Sequence, residues 1–185
     1  MRSLRVGVAA MALSMPIAAM ADDGARTVAE VTGDINGDGV PDRALLATGA
    51  EEEDEVGIAV HLSADGRVPA EPTLSRPAFG WWDGGSEPTL SISPRGSLIV
   101  VFHNEAFGRS RWRQQLTIAF RNGELVVAGY TYAARDTLDL KFGGNCDINF
   151  LTGKGTRNGK AVSVPAGAIP LARWSDESIP GACAF

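Results

Sequence analysis

The chain has 185 residues, 44% of them hydrophobic and 21% charged, enough for one compact domain with its own core. Its 22 acidic and 17 basic residues give a formal net charge of −5, a poor match to nucleic acid or an anionic membrane surface, both of which favour basic patches. The same balance suits solubility, cations and basic partners.

Residues 1–21 read as a signal peptide. Arg2 and Arg5 form a basic n-region, Val6 to Ile17 is mostly apolar, and Ala19-Met20-Ala21 is an A-x-A cleavage site before Asp22. The apolar run is shorter than the roughly 20 residues a membrane span needs, which disfavours the alternative of an uncleaved anchor. No cysteine sits at the cleavage point to carry a lipid. The expectation is a periplasmic or secreted protein whose residues 22–185 form a single domain, with no membrane span after cleavage.

Next comes Asp34-Ile35-Asn36-Gly37-Asp38-Gly39-Val40-Pro41-Asp42, a D-x-N-x-D-G-x-x-D pattern. Calcium takes six to eight oxygen ligands, and a tightly wound loop delivers alternate side chains inward. Asp34, Asn36 and Asp38 fill the first slots, the Val40 carbonyl the next, and Asp42 the fifth; Gly39 permits the positive φ of the sharp turn. Asn-Gly and Asp-Gly mark turns by themselves. Turn chemistry alone, however, does not call for carboxylates at 34, 38 and 42 together. An EF-hand is excluded, because its bidentate glutamate position is Leu45 here and Pro41 opposes a directly following helix. The loop is expected to lead into a β-strand from Arg43 to Gly49.

Glu51-Glu52-Glu53-Asp54-Glu55 reads as a solvated hairpin tip, with Glu51 close enough in sequence to be an auxiliary ligand. Val56, Ile58, Val60 and Leu62 then alternate as one face of a strand before the Asp65-Gly66 turn. Phe79-Gly80-Trp81-Trp82-Asp83-Gly84-Gly85 places paired tryptophans in a glycine-rich stretch. Neighbours on a strand point to opposite faces, so at most one is exposed, as core cover, a sugar platform or a partner anchor. Thr89 to Ser93 and Gly96 to His103 are strands flanking Pro94-Arg95-Gly96.

His103 and Glu105, two apart, share a face if that strand continues, the geometry of a general acid/base pair. No G-x-S-x-G, H-E-x-x-H or Cys-His pairing accompanies them, and a strand-end histidine is more often a satisfied surface residue. Trp112 to Arg121 and Glu124 to Tyr132 read as a hairpin around Asn122-Gly123 with a type I′ turn. A two-residue loop sets Arg121 against Glu124, Phe120 against Leu125, Ile118 against Val127, and Arg113 against Tyr132. Asp147 to Leu151 and Lys160 to Val164 follow as strands around a loop containing Asn158-Gly159. Cys146 and Cys183, an even pair in an exported chain, read as one disulfide that pins the chain's end. Short strands with turn signals between them predict an all-β, mostly antiparallel domain, whether sandwich, barrel or curved sheet.

Set within Thr32-Gly33 and Arg43-Ala44-Leu45-Leu46, the Asp34–Asp42 loop resembles the calcium loop of FG-GAP or VCBS-type repeats. Those repeats form multi-bladed propellers; with one copy here, the propeller is not implied. The arrangement is more similar to short exported bacterial proteins of unknown function that start with one such loop. Ser110-Arg111-Trp112-Arg113, the Leu125 to Tyr132 strand and Cys146-Asp147-Ile148-Asn149-Phe150-Leu151-Thr152-Gly153-Lys154 extend the resemblance. It implies calcium at Asp34, Asn36, Asp38, Val40 and Asp42, and no catalytic residues. The expected function is a calcium-stabilised binding module for an envelope protein or glycan. The alternatives are an envelope hydrolase using His103 and Glu105, and a purely structural envelope protein.

Overall fold

The computed structural model describes residues 26–49, 55–82, 85–139 and 141–185. The signal peptide reading and Glu51 to Asp54 of the acidic run lie outside them, as do Asp83 and Gly84. Among the described residues there are twelve strands, and every ladder between them is antiparallel. The expected all-β class holds. No helix among them is long and apolar enough to cross a membrane.

The smaller sheet runs β1 (Arg26–Gly33), β2 (Asp42–Thr48), β3 (Glu55–His61), β4 (Leu74–Trp81) in that order. The larger sheet starts with β5 (Thr89–Ile92), β6 (Leu98–Asn104), β7 (Ser110–Arg121) and β8 (Glu124–Asp136). It continues through β9 (Gly143–Asn149), β10 (Lys154–Arg157) and β11 (Lys160–Ser163), and β12 (Ile169–Pro170) adds a short pairing to β8. Three single turns of 3-10 helix close the chain, at Leu171–Arg173, Asp176–Ser178 and Gly181–Cys183.

The two sheets bury their inward faces on each other as a single sandwich. Alternation assigns the faces: Ala44, Leu46, Val56, Ile58 and Val60 point in from the smaller sheet, and Leu98, Val100, Leu116, Ile118, Tyr130 and Ile148 from the larger. Burying a Leu, Ile or Val side chain contributes about 1.5–3 kcal/mol each, so this interleaved layer is the main source of stability. Close approach is required at Gly80 on β4, where a Cβ would lie 2.2 Å from the Phe102 ring of β6.

The β7–β8 hairpin has the expected turn. Asn122 and Gly123 take φ of 53° and 82°, and Arg121 faces Glu124, Phe120 faces Leu125, and Ile118 faces Val127. Beyond Ile118 the register slips by one residue, because Ala128 is left over opposite the Thr117–Ile118 step. Arg113 therefore faces Ala133, not Tyr132 as a strict two-residue hairpin requires, and Gln114 takes Tyr132. The bulge keeps Tyr130 on the core side with Leu116. A second departure lies further on: β9 and β11 are not neighbours, since β10 sits between them and the Asn158-Gly159 turn joins β10 to β11.

The disulfide between Cys146 on β9 and Cys183 in the last 3-10 turn is formed, with Cα atoms 5.3 Å apart. It holds the C-terminal segment against the larger sheet, where Leu171 and Trp174 are buried and the Trp174 ring meets Tyr130 and Phe150.

Candidate functional site

The Asp34–Asp42 loop connects β1 to β2 and is held from both sides. Ile35 plugs into the core, and the loop backbone packs on the β5–β6 turn, where a Cβ on Gly96 would sit 3.0 Å from the Asp34 carbonyl. Gly37 and Gly39 take φ of 83° and 85°, the left-handed turns the sequence requires. Asp34 accepts from Gly37 N at 2.6 Å through Oδ1 and from Gly39 N at 2.9 Å through Oδ2. Asn36 Oδ1 accepts from Asp38 N at 2.9 Å, and Asn36 Nδ2 donates to Asp38 Oδ2 at 2.9 Å. Val40, the expected carbonyl ligand, donates its N–H to Asp38 Oδ1 at 2.7 Å. These bonds, with that to Val40 first, hold the Asp38 carboxyl below its ordinary range.

Asp42 behaves differently. It is fully buried at the start of β2, where Oδ2 accepts from Ile35 N and Asn36 N at 2.8 and 3.2 Å and Oδ1 accepts from Ser63 N at 2.7 Å. It braces the loop and ties it to the segment after β3. Among the described residues no group of three or more acidic, histidine or cysteine side chains converges on one point able to hold a metal. The hydrogen bonds leave acceptor capacity on these oxygens. A carboxylate offers about four lone-pair sites, so Asp34 and Asp38 keep one unused site on each oxygen, and Asn36 Oδ1 and Asp42 Oδ1 keep one each.

His103 and Glu105 end up on separate tasks. β6 stops at Asn104, so Glu105 already belongs to the following loop. Its carboxylate is forked onto Arg135, at 2.5 and 3.2 Å, and that hydrogen bond is the main cause of its lowered pKa. His103 Nε2 lies 3.1 Å from the Glu87 carbonyl. A cleft of about 340 Å³ does form beside Glu105, with Arg113, Arg135 and Asn145 in its lining, but His103 is not part of it. His61, the other histidine, is buried with Nδ1 3.0 Å from the Pro69 carbonyl.

The tryptophan pair splits as alternation requires: Trp82 is buried, with the Arg26 guanidinium 5.0 Å from its ring, and Trp81 is half exposed. Trp81 lies on β4, an edge strand of the smaller sheet, and lines a cleft of about 550 Å³. Phe79 and Phe102 are in the wall with Trp112 and Gln114 of β7, and Asp176 comes from the C-terminal segment. Sequence reasoning missed the convergence of Trp112, Gln114 and Asp176 on Trp81. The period-2 pattern shared by Trp112, Gln114 and Leu116 puts the first two on the inner face, but nothing local says that Asp176 arrives there. Arg76 brings it: its guanidinium reaches from β4 to the carbonyls of Ala172 and Trp174, at 2.8 and 2.6 Å. Comparison of the chain with protein-family models, with curated proteins and with solved structures gives no match.

Proposed function

We propose that this chain is an exported, calcium-braced β-sandwich that binds a glycan of the cell envelope without transforming it. The observation that carries the reading is the Trp81 cleft. An indole left half exposed on an edge strand, above a recess with a second tryptophan in its wall, gives a flat apolar platform for the C–H face of a sugar ring. The Gln114 amide and the Asp176 carboxylate, with Glu55, Arg76 and Ser175 also in the lining, supply polar groups that orient a ligand beside the aromatic wall.

In this reading the loop is a single-copy calcium loop of the FG-GAP or VCBS kind. Asp34, Asn36, Asp38, the Val40 carbonyl and Asp42 hold the ion, which supplies charge neutralisation and cross-linking between β1 and β2. The loop does not line the Trp81 cleft, so the ion's role is structural. Against a hydrolase stands the engagement of Glu105 by Arg135, which keeps that carboxylate ionised and occupied. A glycan array probed with the purified protein tests the proposal. Selective binding that Trp81→Ala reduces by at least tenfold, with the fold intact by near-UV circular dichroism, is the expected result. Absence of glycan binding by the calcium-loaded protein leaves the purely structural alternative.

A further inference from the structure

At the far end of the larger sheet, two neighbouring loops carry the most exposed large apolar side chains among the described residues. Phe107, in the β6–β7 loop, is 56% exposed; Leu138 and Phe142, in the β8–β9 loop, are 78% and 62% exposed. The loops are locked side by side: Thr137 N donates to the Arg109 carbonyl at 2.9 Å, and Arg109 Nε pairs with Asp136 Oδ2 at 2.6 Å. Monomeric proteins seldom leave such groups in water without a use, and three at one tip are beyond scattered surface residues.

Behind the tips lies a belt of positive charge. Arg111 sits directly opposite Arg135 on β7 and β8, a like-charge pair that costs stability in a sheet. Arg111 also donates to the carbonyls of Phe107 and Gly108, which sets the Phe107 loop in place. Glu105 and Asp136 are taken up by Arg135 and Arg109, with Glu105 also acting on Arg111, and among the described residues of these two loops Asp139 is the one further acid to set against Arg111, Arg113 and Lys141. The net charge of −5 for the whole chain conceals this local excess.

We propose that this end of the sandwich docks on an anionic lipid bilayer, with Phe107, Leu138 and Phe142 entering the boundary between headgroups and acyl chains and the arginine belt meeting the lipid phosphates. Two features select a bilayer over a protein partner. The apolar groups project from loop tips, and a bilayer takes up such protrusions without needing a matching pocket. Arg111 and Arg113 are set back along β7 from the apolar tips, the order in depth that an interfacial element needs, and Lys141 lies beside Phe142 in the tip loop where headgroup phosphates would meet it. The surface is separate from the Trp81 cleft, so the inference stands or falls independently of glycan binding.

Co-sedimentation of the exported, processed protein with vesicles is the test, using phosphatidylglycerol-containing vesicles against pure phosphatidylcholine vesicles. The expected result is at least tenfold stronger binding to the anionic vesicles, weakening with added salt. Leu138→Asp with Phe142→Asp should lower it at least tenfold, and Arg111→Gln with Lys141→Gln should reduce both the affinity and its salt dependence. As a second readout, Leu138→Trp should shift its emission to the blue on anionic vesicles alone. The proposal is overturned if folded wild-type protein stays in the supernatant, binds both vesicle types equally, binds unchanged after the double aspartate substitution, or self-associates through these tips without lipid.

Discussion

Asp38 and Asp42 belong to the same loop and the same proposed ligand set, yet their surroundings assign them different consequences. Asp42 is buried and satisfies three backbone N–H groups. Removing the acceptor leaves the Ile35 N–H without a partner in the core and those of Asn36 and Ser63 without one in a half-buried setting, at roughly 1–3 kcal/mol for each unsatisfied buried group. Asp42→Ala should therefore lower unfolding stability by at least about 2 kcal/mol even in the presence of chelator. Asp38 is exposed, and water can replace the bonds it makes. Asp38→Ala should change the chelated protein by no more than about 0.5 kcal/mol, the usual size of a surface substitution, while weakening calcium uptake in calorimetry. Equal urea midpoints for the two variants in chelator would contradict the assignment of Asp42 as the brace. The Arg109 guanidinium, followed by the amides of Asp139 and Leu138, holds the Asp136 carboxyl down to about 2. A depressed carboxyl stabilises the fold fully above its unfolded value, about 3.9, and loses that contribution as pH falls toward 2. Denaturation midpoints of wild type and Asp136→Asn should accordingly differ at pH 5 and converge between about pH 4 and pH 2. A constant difference across that window would remove Asp136 as the titrating group.

Two glycines show how elements constrain sequence for opposite reasons. Gly123 closes the β7–β8 hairpin at a φ of 82°, and nothing lies within 4 Å of an added Cβ. Its cost on substitution is conformational alone, about 1–2 kcal/mol for an L-residue in the left-handed region. Gly80 has no positive φ, but an added Cβ would run into the Phe102 ring on the facing sheet. Gly80→Ala should cost about 1–3 kcal/mol through overpacking and should also displace Phe102, which lines the Trp81 cleft. The pair can be separated by denaturation together with glycan affinity. Gly123→Ala should lower stability and leave ligand binding unchanged, whereas Gly80→Ala should lower both. A Gly80→Ala protein that binds like wild type would show that the cleft wall does not depend on this contact.

At the scale of the whole molecule, what the sequence reveals follows the range of the interaction. The β7–β8 hairpin is legible down to its pairs, because Asn122-Gly123 and the alternation on either side are neighbours in the chain. The Ala128 bulge is not, since alanine carries no turn signal and the extra residue is needed only to keep Tyr130 in the core. β4 is obscured by Pro77 and by the irregular pairing around Gly57, and β10 by its brevity and its central Gly155. The Asp34–Asp42 loop is readable as nine consecutive residues, but the cleft joins β4, β7 and the C-terminal segment through an arginine that reaches 96 and 98 positions along the chain. The disulfide has the same long-range character, and its partners are deduced only because there are two cysteines. Closing a separation of 37 residues, it limits the freedom of the unfolded chain and holds the segment that carries Leu171, Trp174 and Asp176. Its loss should lower stability by about 2–4 kcal/mol. Cys146→Ser with Cys183→Ser should also free the C-terminal segment before the sandwich melts, changing the near-UV signal from Trp174 and its contacts with Tyr130 and Phe150 while the β-sheet signal persists. Glycan affinity should fall with it, because Asp176 is then no longer held beside Trp81. A double variant that melts in one step at the wild-type midpoint would show instead that Arg76 and the packing of Trp174 hold the segment without the covalent link.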